Sequence, residues 1–388
     1  MNVLVVNSDL AANRGDRAIA AGLVALVRAL EPGARITLIS QHADRDRDWY
    51  GVDVLPQNIH SLNPLDLLRL MRAARRADVV LWGGGELLKD YTNRLGVWYW
   101  AVKMRCVSAA NPRVVGTFQG IGRTRARSSR RLIARTVSRT RTFLTRDAQS
   151  RELLESWGVR PGIVTASYDC AVYAADARPE SASDVPFERF AVVAPRQWFH
   201  YREGGWLPHR WRRGQGPSAQ SRSLATTVVS MVDALVESHG AVVLAPMHMG
   251  EDPAYARELR DRAARPDRVH VLDGDELGPE ALRSVIARAD VMVALRLHAG
   301  IVATSVGVPT VTYYYVDKGR LYAEQLGAQE YTRPIERLLE PDALADLTAM
   351  VAAVEADGEQ RARTHERIGA MREHLRDDLA AALAAARS

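Results

Sequence analysis

The chain has 388 residues, 47% of them apolar and 25% charged, with a net charge of +6 carried almost entirely by arginine. At roughly 100–200 residues per domain, that length predicts two domains, each burying its own core. The composition excludes wholesale disorder, and no apolar run approaches the ~20 residues that a bilayer span needs. The opening MNVLVVNSDL has no basic n-region and no small-residue cleavage site, so it reads as a strand, and the expected location is cytoplasmic. Cys106 and Cys170 are far apart and lack metal-ligand spacing, so both are expected as buried reduced thiols. The basic balance favours anionic substrates or an anionic membrane face.

Strand and helix patterns alternate along the chain. Val3–Asn7 is a short apolar run, and Asp16–Leu30 has helical periodicity that Pro32-Gly33 stops. Strand Arg35–Ser40, helix Pro64–Arg76 and strands Asp78–Trp82 and Val114–Gln119 follow. Helix Arg127–Arg141, strand Thr142–Thr145 and helix Ala148–Trp157 complete this series, with Gly158 as a helix stop. Ala175–Pro186, rich in Ala, Ser, Asp and Pro, reads as a linker. A second series runs through strand Phe190–Ala194, helix Ser223–Ser238 and strand Ala241–Pro246. A helix capped by Asp252 with Pro253 in its first position comes next. Strands Arg268–Leu272, Val291–Leu295 and Thr310–Tyr314 and an Ala/Arg/Glu-rich helical end from Pro341 close the chain.

This alternation predicts an α/β protein of two doubly wound, Rossmann-like domains facing a cleft, which resembles the GT-B architecture, with C-terminal helices. The expected divisions are 1–174, a linker over 175–188, 189–340, and helices over 341–388. Ligands in such folds bind at the carboxyl ends of strands, so chemistry is sought there.

Asn13-Arg14-Gly15-Asp16 lies between strand one and helix one. Capping alone explains Asn and Asp there. The functional reading places Asn13 and Asp16 at the cleft, with the carboxylate handling an acceptor hydroxyl. Gly83-Gly84-Gly85-Glu86 follows the strand ending at Trp82 and is expected to lead into a helix whose N–H groups favour an anion. Gly116–Gly122 repeats the arrangement and carries Gln119. Arg296-Leu297-His298 follows strand Val291–Leu295, and if the extended state persists both polar side chains point one way. Burying an unpaired guanidinium costs several kcal/mol, so the alternatives are an ion pair with a nearby Asp or a ligand. Arg196 ends the second domain's first strand and can reach the same wall. Two arginines suit a substrate with both phosphate and carboxylate. A histidine can supply a proton, and Lys318 would add charge or remain solvated.

The segments NRGDRAI, GGGELLKD, GTFQGIG, TRDAQSRELL, VAPRQW and LRLHAGIVATSVGVPTV resemble, in order and across most of the chain, the polysaccharide pyruvyl transferase family. The Arg-Leu-His segment with its following Gly-Val-Pro is the specific one. The resemblance implies a GT-B-like fold and phosphoenolpyruvate as donor and co-substrate, contacted by Arg196, Arg296 and His298. The expected acceptor is a sugar, lipid- or nucleotide-linked, in cell-surface polysaccharide or glycoconjugate synthesis. Expected catalytic residues are His298, Arg296 and Asp16. Expected substrate-binding residues are Arg196, Arg296, His298, Lys318, Asn13, Gly84, Gly85 and Gln119. No metal and no other cofactor is called for. The chain departs from the family at Arg17, where an acidic residue is usual, at Asp169-Cys170 in place of Asp-Pro, and in the long segment Trp198–Ser223.

Arg127, Arg131, Arg135 and Arg139 recur every fourth residue on one helix, with Arg123, Arg125, Arg130 and Arg141 beside them. A solvated face is the plain reading; docking to anionic headgroups or to a diphosphate-linked acceptor is the functional one. Tyr201, Trp206 and Trp211, with Trp198, would stack on a sugar or cover the cleft. No nucleic-acid module is recognised, so nucleic acid is not expected. Two other classes share the fold: a GT-B glycosyltransferase using a nucleotide sugar, and a binding module without turnover. An acceptor from secondary metabolism is the variant within the same chemistry.

Overall fold

A computed structural model describes residues 1–91, 94–173, 185–198, 218–274 and 276–388. The first half runs β1 (Asn2–Val6), α1 (Arg14–Leu30), β2 (Arg35–Ser40), α2 (Ala43–Tyr50), β3 (Asp53–Pro56), α3 (Pro64–Arg76), β4 (Val79–Gly83), α4 (Arg94–Ala110), β5 (Val114–Gln119), α5 (Arg127–Val137), β6 (Thr142–Thr145), α6 (Ala148–Ser156) and β7 (Val164–Ala166). These strands form one sheet in the order β3-β2-β1-β4-β5-β6-β7, parallel throughout. The second half runs β8 (Ala191–Ala194), α7 (Ala219–His239), β9 (Val242–Leu244), α8 (Asp252–Arg262), β10 (Val269–Val271), α9 (Pro279–Ala287), β11 (Val291–Ala294), α10 (Leu297–Ser305), β12 (Thr310–Tyr314), α11 (Asp317–Leu326), β13 (Thr332–Pro334), α12 (Ala343–Ala356) and α13 (Gly358–Arg387). Its sheet has the order β10-β9-β8-β11-β12-β13, also parallel.

Both orders reverse direction beside their first strand, between β1 and β4 and between β8 and β11. Those are the points where a doubly wound sheet opens a crevice for ligands. The central strands are buried on both faces, which is why they read as unbroken apolar runs.

Three apolar layers hold the fold. α3, α4, α5 and α6 cover the outer face of the first sheet. α7, α8 and α12 cover the outer face of the second. The inner faces share one core built with α1, α9, α10 and α13. α13 buries Ile368, Met371, Leu375, Leu379 and Leu383 in this shared core. Spacings of three and four put these side chains on one stripe, and the helix crosses from the second half to the first.

Several local expectations change. The short edge elements α2, β3, β7 and β13 carry too little apolar pattern to have been read in advance. No helix follows the Gly83–Glu86 turn directly: α4 starts at Arg94, and residues 84–90 instead run beside 120–122, with Gly120 N–H donating to the Gly85 carbonyl at 2.9 Å. Asp252 stands inside α8 as its first residue, after Glu251. The linker expected at 175–186 lies mainly outside the described residues, as do Tyr201, Trp206 and Trp211. Cys170 is buried, whereas Cys106 is half-exposed.

One side chain ties the halves together beside the cleft. Arg14 is 1% exposed, and its guanidinium donates to the carbonyls of Pro246 (2.8 Å), Leu272 (2.7 Å) and Gly274 (2.7 Å) in the second half. Arg17 also reaches the second half, donating to the Leu277 carbonyl at 3.4 Å. It donates to the carbonyls of Leu10 and Ala11 and stacks on Trp49, so the departure from an acidic residue here serves the β1–α1 turn. Removing Arg14 takes the donor from two buried carbonyls, those of Pro246 and Leu272, and from the part-buried one of Gly274. Arg14→Ala is expected to lower stability by about 3 kcal/mol or more, read as a fall in urea midpoint at unchanged slope.

Candidate active site between the two sheets

The β1–α1 turn supplies the first wall. Asn13 is the N-cap of α1, its side chain accepting from Gly15 N at 2.8 Å. Its backbone also bridges to His248 of the second half. The capping reading therefore accounts for Asn13. Asp16, one turn later, faces inward. Burial raises its pKa, and the neighbouring Asp9 charge adds to that, against the opposing pull of His298, Ser8 and Lys89. A carboxyl so lifted is a better proton acceptor than an ordinary aspartate.

Gly84 and Gly85 have φ of 90° and 72°, a region only glycine enters without strain. A Cβ on Gly85 would lie 3.2 Å from the Asp16 carboxylate. These glycines therefore let the backbone close on α1; they do not open a helix N-terminus to an anion as expected. Gln119 is likewise a correction. It is fully buried, its amide donating to the Trp82 carbonyl at 2.7 Å, so it is enclosed in the sheet and not presented on an open surface.

The second wall comes from β8 and β11. Arg296 is extended and caps α10, which starts at Leu297. The strand alternation that would aim Arg296 and His298 alike therefore stops between them. Arg296 turns to Asp252, hydrogen-bonding Oδ1 through Nη2, while Asp252 Oδ2 accepts the amides of Met247 and His248. The Arg296 Nε is buried and finds no hydrogen-bond partner among the described residues. His298 points across to the first half. Its Nε2 lies 3.4 Å from Asp169 Oδ2, and its Nδ1 would stand 2.5 Å from a Cβ on Gly15. Glycine is required at position 15 because the imidazole occupies that space. Neither side chain is sealed in, with 11% and 13% of each exposed.

Arg196 follows β8, its guanidinium 4.0 Å from the Tyr315 ring centroid and 4.9 Å from that of Trp198, the two rings themselves packed 4.6 Å apart. Burial raises the Tyr315 phenol, but the Arg196 and Lys318 charges outweigh it and bring the pKa down to about 8. Lys318, in the first turn of α11, is not a solvated lysine: its Nζ is 3.5 Å from Glu86 Oε2.

Glu86, Arg146 and Asp169 were outside the candidate set, although the first two sit in motif segments. Glu86 meets Lys318, Arg146 at 3.3 Å and Lys89 at 4.0 Å. Burial would raise its carboxyl, but those three cations hold it down at about 2. Asp169 meets Arg146 at 3.6 Å as well as His298; burial is again overcome and it too sits at about 2. With Cys170 following it, the Asp169 carboxylate accepts the Ala171 amide at 3.0 Å.

Beside this charged seam lies a cavity of about 470 Å³ between the halves, lined by Glu86, Arg130, Arg146, Trp157, Tyr315 and Lys318 among others. Arg196, Arg296 and His298 do not line it. The cleft thus has two parts: a compact cluster around His298, and a roomier basic cavity, joined through Glu86, Tyr315 and Lys318.

A family profile described as polysaccharide pyruvyl transferase matches residues 13–317. The chain belongs to this family of transferases. No curated protein matches the sequence. Among solved structures, Anabaena HepE in complex with UDP and glucose is similar at 13% identity and a TM-score of 0.57, covering 99% of both chains. UDP-GlcNAc 2-epimerase from Neisseria meningitidis bound to UDP-GlcNAc is similar at 11% identity and a TM-score of 0.58, covering 99% of this chain and 100% of that one. A glycosyltransferase from Rickettsia africae is similar at 10% identity and a TM-score of 0.58, covering 99% and 98%. At these identities the likeness is one of fold: two Rossmann-like units in the GT-B manner.

The Glu86 charge supports stability that is complete above its ordinary value of 4.5 and is lost as pH falls toward about 2. Glu86→Gln leaves three cations without their carboxylate. It is expected to cost about 3–5 kcal/mol near neutral pH, and thermal melts should show that deficit shrinking below pH 4.5.

Proposed function

We propose that this transferase moves the pyruvyl group of phosphoenolpyruvate onto a pair of sugar hydroxyls, forming a cyclic ketal and releasing phosphate. The observation that carries the reading is the cluster where the two switch points meet. Arg196 and Arg296 stand on the second wall, His298 reaches from it toward Asp16 on the first, and the Arg296 Nε is a buried donor with no hydrogen-bond partner among the described residues. A small substrate bearing phosphate and carboxylate would satisfy such donors.

The chemistry assigns roles in order. His298 protonates the methylene carbon of the donor, leaving an oxocarbenium-like centre at C2. Asp16 takes the proton of one acceptor hydroxyl as its oxygen bonds to C2. Phosphate departs with the C–O bonding pair while the two arginines hold its charge. The neighbouring hydroxyl then closes the ketal, and its proton leaves with phosphate. Asp169 orients the imidazole and Gly15 leaves room for it; both are positioning residues.

The roomier cavity suits the acceptor. Arg130, Arg146 and Lys318 would bind the phosphates of a nucleotide- or lipid-linked sugar. The UDP and UDP-sugars bound by the HepE and epimerase structures support that acceptor class. The same likeness favours a second reading, a glycosyltransferase with a nucleotide-sugar donor, which predicts turnover without phosphoenolpyruvate. Synthesis of cell-surface glycans on the cytoplasmic side is the setting this chemistry implies.

Phosphate release from phosphoenolpyruvate, measured across nucleotide-linked, lipid-linked and polymeric sugars, tests the reading. Arg296→Ala and His298→Ala should each reduce turnover by roughly a hundredfold or more while the protein stays folded; wild-type rates in both would refute it. Gly15→Ala should displace the imidazole and approach the His298→Ala loss, at a stability cost of about 1–3 kcal/mol, which a melt would register separately.

A further inference from the structure

The outer surface of the first half joins an apolar patch to an arginine face. Six of the seven large hydrophobic side chains that stand exposed among the described residues lie here: Leu62, Leu65, Leu68, Leu95, Trp98 and Val102. The first three belong to α3 and the turn before it. The others recur at spacings of three and four along the outward stripe of α4. α4 packs between α3 and α5, so the three helices form one surface. On α5 and just beyond it, Arg127, Arg131, Arg135 and Arg139 are exposed. α4 and α5 contain no carboxylate at all. On α3 the single acid, Asp66, is occupied by Ser61 and Arg69.

We infer that this surface seats the enzyme on an anionic lipid bilayer, with the α3–α4 side chains entering the headgroup boundary and the α5 arginines on lipid phosphates. Scattered exposed leucines need no explanation, but a contiguous patch does. Leucine and tryptophan beside an arginine-rich face are what an interfacial contact combines. Charge decides between occupants. A second copy docked by the same patch would bring one arginine face toward another, and like charges across an interface oppose association. An anionic leaflet supplies the opposite sign. No helix among the described residues is long and apolar enough to cross a membrane, so the contact is a seat and not a span. The placement also has a use. Arg130 of α5 lines the interdomain cavity, so a headgroup-linked sugar at the bilayer surface would lie beside the cavity mouth. This inference stands on the surface alone and does not depend on the donor's identity.

Co-sedimentation of the full chain with vesicles tests it, using phosphatidylcholine alone and phosphatidylcholine mixed with phosphatidylglycerol. Binding is expected only to the anionic vesicles, weakened by salt. Two sets of exposed substitutions should each lower it by about tenfold or more at unchanged melting temperature: Leu65→Ser with Trp98→Ser, and Arg127→Gln with Arg131→Gln, Arg135→Gln and Arg139→Gln. Absence of binding to anionic vesicles overturns the inference, as does full binding by either variant. A dimer in light scattering that Trp98→Ser breaks would assign the patch to self-association instead.

Discussion

The guanidinium of Arg14, held in the protein interior by three carbonyls of the opposite half, is the constraint from which the site follows. Each Rossmann-like sheet presents a crevice only at its own switch point. A site shared between two sheets needs both crevices brought face to face at fixed separation. Arg14 emerges from the turn that ends at the first switch point, and its acceptors lie in the turns after β9 and β10. A planar donor with fixed fork geometry sets distance and angle together, which apolar packing alone does not. Neighbouring Asn13 and Asp16 then have no freedom to leave the cleft.

Within that frame the cleft is an exchange of charges between cations and carboxylates. Glu86 gathers Lys89, Lys318 and Arg146; Asp169 holds Arg146 and His298; Asp252 holds Arg296. Carboxylates in these positions keep long cationic side chains ordered at low dielectric, where an unpartnered charge is costly. An anionic substrate of the kind proposed would meet groups already aimed and compete with carboxylates for them. The compact cluster and the roomier cavity are thereby linked through shared partners, and a change at one shifts the charge balance at the other.

The two faces of the first sheet are covered differently. Its inner face shares a core with the second sheet through α1, α10 and α13. Its outer helices bury one stripe against β4 and β5 and leave another, apolar and basic, directed outward. The same helices that complete the outer core thus present the surface proposed to meet lipid, because a helix has enough circumference for both stripes.

What the sequence determined by itself is local. Apolar runs and helical periodicity marked most strands and helices, since those signals come from residues a few positions apart. They set Arg196 and Arg296 at strand ends and Asp16 and His298 in the segments that follow strands, and with them the candidate cleft. Short edge strands such as β7 and β13 stayed hidden, having few residues in which a pattern can show. Only the tertiary structure decided the partnerships. Arg14 meets Gly274 across a separation of 260 residues, Gln119 turns inward to a neighbouring strand, and the start of α10 at Leu297 sends Arg296 and His298 to different carboxylates. Which guanidinium finds which acid depends on how two sheets pack, and packing is set by the whole core, so no stretch of chain carries that information alone.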